Sequence, residues 1–269
     1  MLGATSAKID GANARVLVQE NGQVMTVTLN RPTKRNAIDD QTIVELDACF
    51  SAIPEHIRAI ILTGVGEHFS AGLDLSEINE RDATAGMHHS RTWHACFEKI
   101  QFGRVPVIAV LKGAVIGGGL ELACSAHIRI AESTSFYALP EGQRGIFVGG
   151  GASVRLPRLV GVARMADMML TGRTYGAAEG VTLGFSQYLV EDGQGMAKAD
   201  ELAKRVAANA PLTNFAVIHA LPRIAEADPR TGFLAESLMA AIAQSDQEAK
   251  ARVRAFLDKK AAKVTAPTS

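Results

Sequence analysis

Two glycine-rich turns, each placed directly after a short apolar run, restrict what this chain can fold into. The first turn is Phe69-Ser70-Ala71-Gly72-Leu73-Asp74, and the second is Ala114-Val115-Ile116-Gly117-Gly118-Gly119-Leu120-Glu121. The runs before them, 59–62 and 107–111, have strand character. Glycine tolerates dihedral angles that other residues avoid, so such turns can leave peptide N–H groups unpaired and aimed at a ligand. Two N–H groups converging on one carbonyl oxygen stabilise negative charge that develops there during a reaction. Nearby carboxylates would then decide which reaction the turns serve.

The chain has 269 residues, enough for one large domain or one domain with an appendage. Its 28 basic and 28 acidic residues balance, which disfavours nucleic acid or an acidic membrane surface as the main partner. Cys49, Cys96 and Cys124 have neither the count nor the spacing of a disulfide framework or a zinc knuckle, and read as reduced core residues. The first twenty residues hold no apolar block resembling a signal peptide, and no run is long enough to span a bilayer. A cytoplasmic location is expected.

Strand and helix signals alternate through the first two thirds of the chain. Asn21-Gly22 suits a tight hairpin between strands within 15–29. Ile43, Leu46, Phe50 and Ile53 recur at helical spacing, and a second helix is expected over 87–102. Short strands are expected at 127–131 and 135–138, and five of the ten residues 142–151 are glycine, too many for an element interior. From about 195 only helical patterns remain. Leu202 and Val206, then Leu212, Phe215 and Ile218, then Leu234, Leu238 and Ile242, then Val253, Phe256 and Leu257 mark stripes expected to be buried. The expectation is an α/β core over 1–198 and a helical module over 199–269, which packs on the core, on another subunit, or on both.

Two carboxylates stand out. Glu121 lies in the first turn of the helix opened by the second glycine turn, where the helix N-terminus favours its ionised form. Glu141 follows Pro140 and precedes the glycine-rich loop. Either alone suits an ordinary surface residue. Together, beside one oxyanion site, they are what general acid–base chemistry next to a carbonyl requires. Gly117-Gly118-Gly119 lacks the Lys-Ser/Thr that follows a phosphate loop, and no Gly-X-Ser-X-Gly elbow is present. His88, His89 and His94 have no matching carboxylate pattern, so no metal is expected. Trp93 reads as an apolar anchor. Arg31, Lys34 and Arg35 form a basic cluster, either a solvated loop or a phosphate clamp.

In order and spacing, Leu29-Asn30-Arg31-Pro32 with Asn36-Ala37, Ala71-Gly72-Leu73-Asp74, Gly117-Gly118-Gly119-Leu120-Glu121, Pro140-Glu141 and Ala255-Phe256-Leu257-Asp258-Lys259 resemble the crotonase (enoyl-CoA hydratase/isomerase) superfamily. The resemblance covers nearly the whole chain. It implies an α/β spiral of ββα repeats with a C-terminal helical trimerisation module, assembled as a homo-oligomer, a hexamer built as a dimer of trimers. It implies an acyl-CoA substrate, coenzyme A being part of that substrate, and no separate cofactor. By position, Leu73 and Gly118 would supply the oxyanion N–H groups, and Glu121 and Glu141 would be the two catalytic glutamates of hydratases. Ala71, Asp74 and Leu75 would line the coenzyme A groove, with Arg31, Lys34 and Arg35 near its phosphates. Phe256 and Lys259 would reach it across a subunit boundary.

The chain also departs from the family pattern. Thr33 stands where the family carries lysine, which shifts phosphate contacts to Lys34 or Arg35. The loop Gly145-Ile146-Phe147-Val148-Gly149-Gly150-Gly151 replaces the Ile-Pro-Gly of fatty-acyl hydratases, so the acyl group need not be a plain fatty chain. Straight-chain hydration, double-bond isomerisation and a non-catalytic scaffold are the rival readings.

Overall fold

Strands β1 (Val16–Asn21) and β2 (Val24–Leu29) form an antiparallel hairpin in the computed structural model, which describes residues 14–77 and 82–258. Alternate residues of β2 (Met25, Val27, Leu29) are buried, as one covered face requires. Asp39 caps α1 (Asp40–Ser51) by accepting the Thr42 N–H at 2.8 Å, and β3 (Ala59–Gly64) follows. Asp82 caps α2 (Ala83–Gln101) in the same way, ahead of β4 (Val107–Leu111). Then come β5 (Ala114–Ile116), α3 (Gly118–Ser125), β6 (Ile128–Glu132) and β7 (Phe136–Ala138). All but β5 stand where the strand and helix signals place them; β5 falls within the segment read as the second glycine turn.

The next stretch shows what the sequence pattern hid. Past the glycine-rich segment lie α4 (Ala152–Val160), α5 (Val162–Thr171), β8 (Tyr175–Gly176), α6 (Ala177–Leu183) and β9 (Tyr188–Val190). Helix α7 (Gly195–Ala207) completes the first of two compact units, which ends at Ala207.

The first unit holds a six-stranded sheet in the order β1-β2-β3-β4-β6-β9, parallel except for the β1–β2 hairpin. A smaller sheet, β5-β7-β8, is also mixed. Strands β3 and β4 are buried at every position, the mark of strands covered on both faces. Ile60, Leu62, Val107 and Ala109 join a large core with α1 and α2. Ala59, Ile61, Ile108 and Val110 point the other way, onto Ala199, Leu202 and Ala203 of α7. Cys96 and Cys124 are buried and Cys49 is half-buried, all as free thiols.

The second unit, from Ala208, is helical: α8 (Pro211–Phe215), a π-helical turn over Ala216–Ala220, α9 (Leu221–Glu226), α10 (Pro229–Ser245) and α11 (Gln247–Leu257). Only part of its expected stripes is buried. Ile218 is buried, but Phe215, Leu234, Leu238, Ile242, Val253, Phe256 and Leu257 are exposed in this single chain, Phe256 at 58%. The unit is a thin set of short helices without enough material to cover its own apolar faces. No helix among the described residues is long and apolar enough to cross a membrane.

Candidate active site

The two glycine turns are stitched into one structure. The Ser70 N–H donates to Ala114 O at 2.9 Å, and the Ile116 N–H donates to Ser70 O at 3.0 Å. Gly72 (φ 88°) and Gly117 (φ 52°) both take left-handed dihedrals that favour glycine. Space requires it too: a Cβ on Gly72 would lie 2.6 Å from Ile116 O and 3.1 Å from the Gly118 nitrogen. A Cβ on Gly118 would lie 3.3 Å from the Leu73 nitrogen. The Leu73 and Gly118 N–H groups are therefore neighbours, and neither has an acceptor among the described residues.

Asn36 anchors the first turn from behind. Its Nδ2 donates to Val65 O and His68 O at 2.9 and 2.7 Å, and its Oδ1 accepts from the Arg31 N–H at 2.9 Å. Asn36 O accepts from the Ser70 hydroxyl at 2.8 Å. Asn36 itself has φ 53°, a conformation asparagine adopts more readily than most residues.

A cavity of about 370 Å³ opens beside the turns, lined by Leu73, Gly118, Glu121 and Glu141 together with the α2 face of His89, Ser90 and Trp93 and the loop 146–150. Glu121 is gripped on both oxygens: Oε2 accepts from the Gly150 N–H at 2.7 Å and Oε1 from the Ala152 N–H at 3.1 Å. Ala152 is the first residue of α4, so the carboxylate also sits at the positive end of that helix. Burial pushes the Glu121 pKa up, while these N–H groups and nearby Arg155 pull it back.

Glu141 is held differently. Its Oε2 is buried without a hydrogen-bond partner among the described residues. Burial, then the charge of Glu121, push its pKa up to about 7 against the opposing pull of its own N–H and Arg144. The Trp93 indole nitrogen is the other buried side-chain polar atom without a partner among the described residues. Both atoms belong to residues of this cavity, the pattern of a site whose partners come from a ligand.

The remaining candidates lie elsewhere. Arg31 is a structural hub: Nη1 donates to Ala37 O at 2.7 Å and Nη2 to Asp74 at 2.8 Å, with Asp39 at 3.3 Å. Asp74 is buried and also accepts from the Ser76 hydroxyl, which with Arg31 lowers its pKa to about 2. Lys34, Arg35 and Leu75 are exposed and Ala71 is half-buried; Phe256 belongs to the second unit and Lys259 lies outside the described residues. Arg31, Pro32, Thr33 and Lys34 line a separate polar pocket of about 330 Å³ with Ala14, Arg15 and Asn30. His89 is bonded to Asp40 through Nε2 at 2.9 Å, and no group of three His, Cys, Asp or Glu placed to hold a metal occurs among the described residues.

Sequence reasoning missed the α2 face and the two N–H donors to Glu121. Gly86, His89, Ser90 and Trp93 fall at spacings of three and four, one face of a helix, and that signal was available.

The Enoyl-CoA hydratase/isomerase family profile matches residues 19–266. The chain belongs to that family. It is similar to the short-chain-enoyl-CoA hydratase of Clostridium acetobutylicum, 33% identical over 91% of this chain and 95% of the relative. Carnitinyl-CoA dehydratase of Escherichia coli K12 is 35% identical over 71% of this chain and 74% of its own. A crystal structure from Rhodopseudomonas palustris CGA009, named after enoyl-CoA hydratase, superposes with a TM-score of 0.89 at 68% identity over 91% of this chain and 95% of that one. The crotonase fold, with two mixed sheets and C-terminal helices, is thus established. The protein is an enoyl-CoA hydratase-type enzyme of the crotonase family, and its substrate is an unsaturated acyl-CoA.

Proposed function

We propose that this enzyme adds water across the 2,3-double bond of a short acyl-CoA, and that the acyl group is 3-methylthioacryloyl. One observation carries the first part: two unpaired N–H groups and two buried carboxylates border a single cavity. The thioester oxygen sits between the Leu73 and Gly118 N–H groups, which stabilise the enolate-like transition state. Glu121, held by two peptide N–H groups, deprotonates water for attack at C3. Glu141, protonated near neutrality, delivers its proton to C2.

The acyl assignment is supported by the wall of the cavity. Trp93, Phe147, Ile146 and Val148 surround it, and aromatic and aliphatic surfaces suit a polarizable thioether. Water added to C3 beside the methylthio group gives a hemithioacetal. Its collapse expels methanethiol and leaves an aldehyde thioester. The same pair of N–H groups suits the tetrahedral intermediate of thioester hydrolysis, which releases coenzyme A and malonic semialdehyde. That acid loses carbon dioxide to give acetaldehyde. Kinship with a short-chain hydratase favours crotonyl-CoA as the alternative substrate.

Incubation with 3-methylthioacryloyl-CoA and crotonyl-CoA in ¹⁸O-labelled water tests both readings. Labelled product, with methanethiol from the first substrate, is expected. Double-bond migration without label would make the enzyme an isomerase, and crotonyl-CoA turnover alone would remove the methylthio assignment.

The exposed apolar rows of α10 and α11 support assembly as a homo-oligomer, a hexamer by family precedent, with Phe256 and Lys259 reaching coenzyme A across the boundary. Light scattering should give a multiple of the chain mass, reduced by Leu238→Glu; an unaltered monomer in both proteins would remove this part.

A further inference from the structure

We propose that Arg155 is a positioning residue for Glu121, holding Gly150 so that the carboxylate is aimed and supplying the positive charge beside it. Its significance for catalysis rests on the hydration reading; its effect on Glu121 does not.

Arg155 is nearly buried in the first turns of α4. Its Nη1 donates to Gly150 O at 3.0 Å, and its Nε donates to Gln101 Oε1, at the end of α2, at 2.7 Å. Among the described residues it makes no direct ion pair. A buried cation bound to neutral acceptors is costly unless an anion lies close. Glu121 and Glu98 are the carboxylates whose charges act on it.

Gly150 stands between the two charges. Its N–H donates to Glu121, and its carbonyl accepts from Arg155. A Cβ at Gly150 would collide with Glu121 Oε2, and a Cβ at Gly151 (φ 103°) would collide with the Arg155 guanidinium. Only glycines let carboxylate and cation close on this segment from both sides. Ser90 holds the neighbouring carbonyl, donating to Gly149 O at 2.6 Å. The loop that aims Glu121 is thereby tied to α2 and α4.

Other ionisable groups also face this arrangement. Glu141 borders the same cavity and Cys124 lies on the Glu121 helix; neither is cationic. From α2, His89 borders the cavity, and His94 would lie 3.8 Å from a Cβ on Gly151. Arg158 acts on Arg155 rather than on Glu121. Arg155 is therefore the cation that favours the charged base.

Carboxyl titration of ¹³C-glutamate-labelled protein by NMR, with Glu121→Gln to identify the signal, tests this. In Arg155→Met the Glu121 midpoint should rise by about one pH unit, and in Arg155→Lys it should stay near the wild-type value. Hydration by Arg155→Met should lose roughly 10–100-fold in kcat with KM little changed. A folded Arg155→Met with an unmoved Glu121 midpoint overturns the proposal. Should that variant not fold, Gln101→Leu, which frees Nε but keeps the charge, should raise the midpoint by a smaller amount, and no change there overturns it equally. A wild-type enzyme that hydrates no enoyl-CoA would defeat the functional reading, while the titration would still decide Arg155.

Discussion

Glu121 and Glu141 enter one cavity from regions built in opposite ways. Glu121 rises from the first turn of α3 and meets two peptide N–H groups, the start of α4 and a nearby cation. Glu141 caps a short 3-10 turn, Gly142–Arg144, and keeps one oxygen with no partner among the described residues. Burial raises the pKa of both. Only Glu121 has hydrogen bonds that reward ionisation at both oxygens. In the proposed mechanism two identical side chains sharing a cavity divide into base and acid because the backbone donors lie on one side. The charge of Glu121 acts on Glu141, so the two titrate as a coupled pair.

Removing either member is the hardest test of that division. Glu121→Ala and Glu141→Ala should each lose hydration by roughly a thousandfold in kcat while keeping the wild-type circular dichroism spectrum. Near-normal turnover in a folded variant would end the acid–base assignment for that residue. Next in size is Gly118→Ala, which acts on the N–H pair proposed to hold the thioester oxygen. Its Cβ would lie 2.7 Å from the Trp93 ring and 3.3 Å from the Leu73 nitrogen. A loss of roughly 100–1000-fold is expected, with the carboxylate titrations little changed.

The asymmetry between the two sides also governs what the sequence could disclose. Glycines after strands, and a glutamate in a first helical turn, are local signals, so two paired turns beside Glu121 were legible, while Leu73 and Gly118 as the particular donors came from the family resemblance. Glu141 was legible by its place before the glycine-rich loop and by the family resemblance of Pro140-Glu141. The donors to Glu121 were not, because Gly150 and Ala152 lie 29 and 31 residues away and meet it only through tertiary packing. Helices α4 to α6 escaped for a related reason: the glycines of 142–151 mask the start of a helical stretch whose apolar face is broken by Pro157 and several glycines. Arg31 and Asp74 read as surface groups near a ligand, yet they bind each other across 43 residues. Periodicity in the tail showed that an apolar face exists, and periodicity contains no information about what covers it.

A gentler test changes the charge on one side and reads the other. Glu141 must be protonated to donate to C2, so wild-type hydration should fall as pH rises through about 7. Glu121→Gln removes the repulsion that helps hold this pKa up, and the Glu141 midpoint should move down. An unmoved midpoint would mean that burial alone sets it. The stability sign is opposite to that of an ordinary paired carboxylate. The folded chain keeps a proton on Glu141 that the unfolded chain, near the ordinary 4.5, gives up, so this group favours the fold more as pH drops from about 7 toward that value. Glu141→Gln should flatten that part of the melting-temperature profile.

Asp74 supplies the contrast that sharpens the comparison, with the smallest expected effect. Like Glu141 it has little exposed surface, but it is much less deeply enclosed and accepts from Ser76 and Arg31, and its pKa falls to about 2. Its contribution is present above the ordinary 3.8 and is lost as pH falls toward about 2. Thermal melts in that window should show Asp74→Asn losing less stability on acidification than the wild type. Its melting temperature at neutral pH should be lower, since Arg31 would keep Asp39 but lose a partner. If both proteins instead acidify in parallel, the hydrogen bonds from Ser76 and Arg31 do not hold the Asp74 carboxylate in its charged form. The contrast drawn between Glu121 and Glu141 would then lose its physical basis.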